Sequence, residues 1–560
     1  MLQTLKIYPA LKAIINSVKS EKVTIISTPT GSGKTLAVPI TLSHCFEERV
    51  FVTVPRVLLA KQAMFSVIKL IIGEKLAHHV GCITGKFSTN PNANLVFCTE
   101  RSFLNRISSL KVNDILVVDE IHEQGINTEE VIYQAKQHAA KGGRVVLMSA
   151  TMDCKKYAEY FGVDNCNIIE LPETERQFKT TTIVCSPDNY LNKVIEIGGV
   201  TLIGVAGKAD IERETAKLRQ LGYKAPIFSL HSEIEEDEER EILAATAKGV
   251  PCTIIATSVA MSGITFENLK VVVPPIYGKR IVDGKLCDYV LSLAEAKQWE
   301  GRVGRTSDGI VLKIDSNINR EANPLPEILR VSLIDTVLSF LGNGVDLRNI
   351  QLLNQPSRAK VDLAFSMLEK SGLISDSKLT EKGKFIAKLG EGILSGNLLY
   401  EGEKLGIPAF AMKVAAVISN GNPLRKLHYR SKCSEINKDI ATYSEHYYVV
   451  TVIENDEMLM PTFNVDLKDF CAKNNIFYKG VSKLRKDFKR IDKTYKDKLE
   501  VTLPLIQELL SKQLATNIFE YSWNETTRVV ANMSSEKMFC TLSPVQLKRG
   551  MLAELTTVIK

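Results

Sequence analysis

Residues 23–46 read VTIIS, TPTGSGKT, LAVPITLSHCF, and no other segment confines the fold as tightly. An apolar β-branched run, a glycine-bearing turn and a second apolar run predict a buried strand, a loop and a helix. A loop that wraps a triphosphate needs glycines, so that successive backbone N–H groups point inward without steric cost. It also needs a lysine to reach the β- and γ-phosphates and a hydroxyl to ligate Mg²⁺. Thr30, Gly31, Ser32, Gly33, Lys34 and Thr35 supply these parts at a helix N-terminus, where the dipole favours anions. The GxxxxGK(S/T) pattern is incomplete, because Thr28 stands where its first glycine would be. A plain glycine turn is the competing reading of this segment taken alone.

The same texture recurs. VFVTV (50–54), NLVFCT (94–99), DILVVDE (114–120) and RVVLMSAT (144–151) continue one series of short apolar runs. TLIGVA (201–206), APIFSL (225–230), CTIIATS (252–258), KVVVPP (270–275) and GIVLKI (309–314) form a second. Runs of this length with helical stretches between them read as buried parallel strands joined by crossover helices. The expected fold is therefore α/β, two parallel sheets in tandem, with a break near LPETERQFKT at residues 171–180. Beyond residue 320, SLIDTVLSFLGNGVDL and KVDLAFSMLEKSGLI have helical spacing, and KLTEKGKFIAKLG follows a polar turn, as in a small winged helix. Residues 391–520 read as helix-rich, and the last forty alternate as short strands would. The acidic EIEEDEERE (233–241) reads as a solvated helix start. The basic KLRKDFKRIDKTYKDK (483–498) is either a channel lining or a charged helix face.

DILVVDEIHE strengthens the phosphate reading. An Asp at the end of a buried strand can hold Mg²⁺, and an adjacent Glu can activate the attacking water. Asp119 and Glu120 fit those roles, with Thr35 and both carboxylates as the metal set.

Together TPTGSGKT, DEIH, SAT (149–151) and QWEGRVGR (298–305) resemble the superfamily 2 helicases in order and approximate spacing, and DEIH resembles the box of the DEAH/DExH group. LKIYPALKAII, EQGINTEEVI, VAGKADIE and HSEIEEDEERE resemble further segments of that group, and the likeness covers about residues 1–520. It implies two RecA-like domains (1–175 and 176–320), a winged helix (321–390), a helical ratchet-like domain (391–520) and a partial OB-like segment (521–560). It also implies roles. His122 would couple the nucleotide site to the partner domain, and Ser149 and Thr151 would link hydrolysis to domain movement. Gln298, Arg302 and Arg305, at a helix position facing the cleft, would reach the γ-phosphate. Gly263 would lie at the NTP, and Arg56, Thr99, Thr257 and Lys208 would touch nucleic-acid phosphates. The sequence departs from the group at Thr28, Ile121, Ser258, Met261 and Gly263.

A formal charge of +7 permits a nucleic-acid partner without demanding one. The eleven cysteines include no CxxC pair, which argues against a zinc ribbon or a disulfide framework. No apolar run approaches the ~18 residues of a membrane span, and the N-terminus has no signal-peptide core. The expectation is a cytoplasmic or nuclear protein (host cytoplasm if viral), not secreted. The resemblance implies a monomeric motor using ATP or another NTP with Mg²⁺ and stepping 3′ to 5′ on RNA. DNA as the track and a nucleotide-switched RNA-binding scaffold are the competing functions.

YGKRIVDGKLCDYV (277–290) places Asp283-Gly284 between two alternating runs, the strongest short hairpin signal. The resemblance puts a hairpin here beside the duplex junction, so Ile281, Asp283 and Gly284 are read as part of a strand separator. Replacing residues 281–286 with a Gly/Ser turn is expected to abolish duplex unwinding and spare NTP hydrolysis; survival of both in paired assays ends the separator idea.

Overall fold

The computed structural model describes residues 2–509 apart from 30, 71–77, 86, 172–177, 233, 235, 262–265, 283–284, 317, 421–444, 455–465, 474–477, 503 and 507. Beyond 509 it describes 532–533, 536–540 and 555–557. Two compact units divide the chain: Met1–Ser332 with Ile350–Arg358, and Leu333–Asn349 with Ala359–Lys560.

The first unit holds two sheets. Strands β1 (Val23–Ser27), β2 (Val50–Val54), β3 (Val80–Ile83), β4 (Ser88–Thr89), β5 (Leu95–Thr99), β6 (Ile115–Asp119), β7 (Arg144–Ser149) and β8 (Cys166–Glu170) lie in the order β4-β3-β5-β2-β6-β7-β1-β8. All pairs are parallel except β3 with β4. Both faces are covered by helices, which is why these strands read as continuous apolar runs. The pleat sorts their side chains: Phe97, Ile115 and Val117 pack on one side, while Val96, Leu116 and Val118 pack on the other.

The second sheet uses β9 (Thr180–Cys185), β10 (Val200–Gly204), β11 (Ile227–Leu230), β12 (Cys252–Ala256) and β13 (Leu269–Val273). A separate antiparallel hairpin, β14 (Tyr277–Val282) with β15 (Lys285–Val290), precedes the last strand, β16 (Gly309–Ile314). The sheet order is β11-β12-β10-β13-β16-β9, parallel throughout. Leu202, Ile254 and Val272 fill one face; Ile203, Ile255, Val271 and Val273 fill the other.

In the second unit, helices Ile334–Gly342 and Arg358–Lys370 are followed by the strand pair Ile374–Ser375 with Lys378–Leu379 and then by helix Glu381–Leu389. Asp376 and Ser377 have φ of 49° and 64°, the backbone a two-residue hairpin turn requires. Helices Ile393–Leu405, Pro408–Asn420, Glu445–Glu454 and Tyr478–Thr494 then close on one apolar core. The basic stretch is the outer face of the last of these. Val481, Leu484, Phe488 and Ile491 turn inward at helical spacing, leaving the lysines exposed. Three short antiparallel strands are described near the C-terminus, but most of residues 521–560, and with them the OB-like expectation, lie outside the described residues.

Residues 350–358 are tied to the first sheet's domain through a buried carboxylate. Glu129 accepts the Asn354 backbone N–H at 2.7 Å and its side-chain amide at 2.8 Å, while Lys156 Nζ donates to Asn354 Oδ1 at 2.6 Å. Glu129 and Asn354 are both buried. An unsatisfied buried polar group costs about 1–3 kcal/mol. Asn354→Ala is thus expected to destabilise by that amount in urea unfolding, and Asn354→Asp by more, since it sets a second carboxylate against Glu129.

Candidate functional site

The phosphate loop leaves the carboxyl end of β1 and enters the helix Lys34–Cys45. Gly31 and Gly33 have φ of 75° and 87°, conformations that an L side chain rarely adopts, and space around a Cβ at Gly31 is open. Thr28 is no obstacle, because its backbone is not left-handed. Its N–H donates to Ser149 O at 3.1 Å, and its hydroxyl lies 2.9 Å from Ser32 Oγ, both side chains buried. Here a hydroxyl pair holds the loop where the common pattern uses a glycine. Thr30 lies outside the described residues.

The carboxyl end of β6 faces this loop. Thr35 Oγ1 donates to Asp119 Oδ2 at 2.6 Å, and Lys34 Nζ lies 3.6 Å from Glu120 Oε1. Asp119 is fully buried, and burial, with Glu120 adding to it, pushes its carboxyl up to about 6. Burial also opposes ionisation of Glu120, but the Lys34, His122 and Arg302 charges outweigh it and hold that carboxyl below its ordinary value. A hydroxyl and a crowded carboxylate meeting at hydrogen-bond distance are hard oxygen donors of the kind Mg²⁺ takes. A divalent cation would relieve the repulsion that raises Asp119. Glu120 Oε2 is buried and makes no hydrogen bond.

Glu120 and Gln124 have φ of 55° and 48° and bracket the 3₁₀ turn Ile121–Glu123. Ile121, the apolar departure in the box, is completely buried beneath β6 and β7. His122 Nδ1 lies 3.0 Å from Ser149 Oγ and 3.3 Å from Glu120 Oε2. Burial lowers its pKa, opposed by Glu120 and Glu123. Ser149 Oγ in turn donates to Thr151 O at 3.2 Å. The two coupling candidates, the histidine and the water-activating candidate therefore form one connected group.

The second sheet's domain contributes through the helix Leu293–Glu300, which Ser292 and Glu295 cap reciprocally. Gln298 lies on this helix, but Arg302 and Arg305 do not. Gly301 terminates it, and the arginines follow in a turn that includes Gly304 at φ 73°. Arg302 is buried; burial, with Arg305 beside it, brings its pKa down to about 9, while Glu120 opposes that shift. Arg305 Nε donates to Gly301 O at 2.9 Å. Gln298, His122, Thr151, Arg56, Met261 and Arg280 line a common cavity of about 450 Å³.

The nucleic-acid candidates are dispersed. Arg56 pairs with Glu123 at 3.2 Å. Thr99 precedes the helix Glu100–Leu104 without a side-chain cap bond and donates to Ser102 Oγ at 2.8 Å. Thr257 and the exposed Lys208 begin the segments that follow β12 and β10. Ser258 is exposed; Gly263 lies outside the described residues. In the hairpin, Ile281 pairs with Leu286 and Val282 with Lys285, so two residues separate the strands; those two, Asp283 and Gly284, lie outside the described residues. Ile281 and Leu286 are 44% and 55% exposed, which leaves apolar side chains at the tip.

Comparison with known proteins places the chain among helicases. Residues 8–160 match the DEAD/DEAH box helicase family, and residues 187–307 match the helicase conserved C-terminal domain. The chain is 24% identical over 471 residues to "Probable ATP-dependent RNA helicase DHX34" of Mus musculus, covering 77% of this chain and 40% of that protein. It is 25% identical over 427 residues to "ATP-dependent RNA helicase HrpA" of Borreliella burgdorferi, covering 68% and 50%. The chain thus spans half or less of the length of these relatives. The solved structure "Crystal structure of E. coli DExH-box NTPase HrpB" aligns with TM-score 0.69 at 19% identity, over 92% of this chain and 62% of that one. The fold is that of two RecA-like domains.

One buried carboxyl near the site escapes motif reading. Glu100, inside FCTERS, accepts from Thr128 Oγ1 at 2.7 Å. Burial pushes it from 4.5 up to about 7; the Thr128 bond opposes this, and Glu123 and Glu327 add to it. The folded chain therefore holds the proton more tightly than the unfolded chain does, so stability falls as pH rises from about 4.5 to about 7. Glu100→Gln is expected to stabilise the protein at pH 8 by up to about 3 kcal/mol, and far less at pH 5. Equal shifts at the two pH values in thermal unfolding would count against this.

Proposed function

We propose, from the premise that the chain belongs to the DEAH/DExH group of superfamily 2 helicases, that it is an NTP-dependent RNA helicase moving 3′ to 5′. The observation that carries the hydrolytic half is the buried Lys34–Glu120 pair with its unbonded Oε2, joined through His122 to Ser149. Lys34 and the backbone of residues 31–33 bind the phosphates, and Thr30 and Gly263, the other NTP-binding candidates, lie outside the described residues. Thr35 and Asp119 are the residues that would hold Mg²⁺, which when bound neutralises phosphate charge. Glu120, ionised at neutral pH, orients the attacking water and accepts its proton at a carboxylate oxygen. Arg302 and Arg305 stabilise the charge that spreads over the transferred phosphoryl group, and Gln298 positions the water with Glu120. A guanidinium buried beside Glu120 already carries part of the desolvation that such a role demands.

The RNA track is supported by the names of the relatives, both ATP-dependent RNA helicases. Arg56, Thr99, Thr257 and Lys208 are the proposed backbone contacts, which fix register without reading sequence. Such contacts do not distinguish sugars; contacts to the 2′-OH do. The hairpin β14–β15 is the proposed separator, since its exposed Ile281 and Leu286 can stack against the base pair at a junction. Residues 1–175 and 176–320 are assigned to the motor, with the winged helix (321–390) and the helical domain (391–520) guiding the strand.

NTP hydrolysis by the full chain is expected to rise with poly-RNA and not with single-stranded DNA. Glu120→Gln should lower it by about 10²-fold or more, the usual weight of a general base. Equal stimulation by DNA would transfer the track to DNA. Hydrolysis that survives in Glu120→Gln would remove the proposed catalytic role.

A further inference from the structure

The hairpin does not stand free of the DEIH turn. The four-residue helix Glu327–Arg330, which follows the second sheet, is bonded at both ends to different parts of the motor. At its start, the Glu327 N–H donates to Gln124 O at 3.0 Å, and the Ile126 N–H donates to Glu327 Oε2 at 2.9 Å. Ile126 opens the fifteen-residue helix Ile126–Ala140, whose cap residue Gly125 has no side chain to satisfy its first N–H groups. A carboxylate from 201 positions further along the chain does so instead, where a helix dipole favours negative charge. Gln124 is the left-handed residue that closes the DEIH turn.

At the helix's other end, Arg330 Nη1 donates to Ile281 O at 2.6 Å, one residue from the end of β14. Its Nη2 lies 4.0 Å from Glu327 Oε1. One short helix thus carries a carboxylate bonded to the nucleotide-box side and a guanidinium bonded to the hairpin backbone. The hairpin's second strand is held from the opposite direction. Tyr289 OH donates to Glu295, the residue that caps the helix carrying Gln298, and Arg280 lies over the Tyr289 ring at 4.3 Å. Charge-assisted bonds to backbone groups transmit displacement better than apolar contacts do, because their geometry is directional.

We propose that Glu327 and Arg330 are positioning residues through which the DEIH turn sets the orientation of the β14–β15 hairpin, coupling the state of the nucleotide site to strand separation. This rests on the reading of the hairpin as the separator.

The test measures NTP hydrolysis and strand separation on the same full-length protein, with an RNA duplex bearing a 3′ single-stranded tail. Arg330→Ala and Glu327→Ala are each expected to leave hydrolysis within about twofold and to lower strands separated per NTP about tenfold, the scale of an intersite coupling. The double variant should lose no more than either single, because both act in one relay. Arg330→Lys, which can still donate to Ile281 O, should recover part of the loss. Thermal unfolding of each variant identifies one that fails to fold, and Arg330→Lys then carries the comparison. Losses that multiply in the double variant, or hydrolysis and separation that fall together, would overturn the proposal. Loss on exchanging residues 281–286, with Arg330→Ala neutral, would keep the separator and sink the link. An exchange that leaves separation intact would remove the separator reading and the link with it.

Discussion

The nucleotide site depends on one register in the first sheet: β7 lies between β1 and β6. With Ser27 opposite Ser149 and Asp119 opposite Met148, the ends of three parallel strands are level. The phosphate loop, the DEIH box and the Ser149–Thr151 segment leave the sheet at the same height and on the same edge. Open α/β sheets place ligands at such carboxyl ends, where loops diverge and helix N-termini converge. Ser149 is the common point. Its carbonyl accepts from Thr28 in the phosphate loop, and its hydroxyl lies against His122 in the box. A one-residue slip of β7 would turn the Ser149 side chain to the opposite face and separate the two halves of the site.

The second constraint is charge under burial. Lys34, Asp119 and Arg302 are buried and Glu120 is partly so, and the carboxyls of Asp119 and Glu120 and the Arg302 guanidinium are each shifted by burial and by their neighbours. None would be stable there alone, since a desolvated charge demands a partner. The pairing spans both sheets: the cation of the phosphate loop faces the carboxylate of the box, and the arginine after Gly301 adds to it.

Much of this was legible in the letters, for a physical reason. Strands buried on both faces have nowhere to place a polar side chain, so β1, β2, β6, β7 and β12 read directly. Strands β8 and β9 did not, because at the sheet edges they alternate apolar residues with exposed ones and resemble loop sequence. β3, VGCI, did not read as a strand, since its four residues include Gly81 and carry only two β-branched side chains. The phosphate loop and the box were legible because their chemistry demands adjacent residues. Asn354 on Glu129 and Glu327 on Ile126 were not, since partners about two hundred positions apart leave no local pattern. The turn of Arg302 was misplaced onto a helix because Gly301 was not weighed as its stop.

Glu120 carries a conformational cost, as Gln124 at the other end of the same turn also does. Left-handed backbone at a non-glycine residue costs roughly 1–2 kcal/mol, and Glu120 also keeps one carboxylate oxygen buried without a hydrogen bond. A glycine or asparagine at position 120 would meet the backbone's preference at once, and neither could take a proton from water. Under the proposed role, the chain holds at this position the residue that water activation needs in a conformation its polymer disfavours. Selection for thermal stability alone would work against Glu120, and the proposed catalytic role is what would keep it.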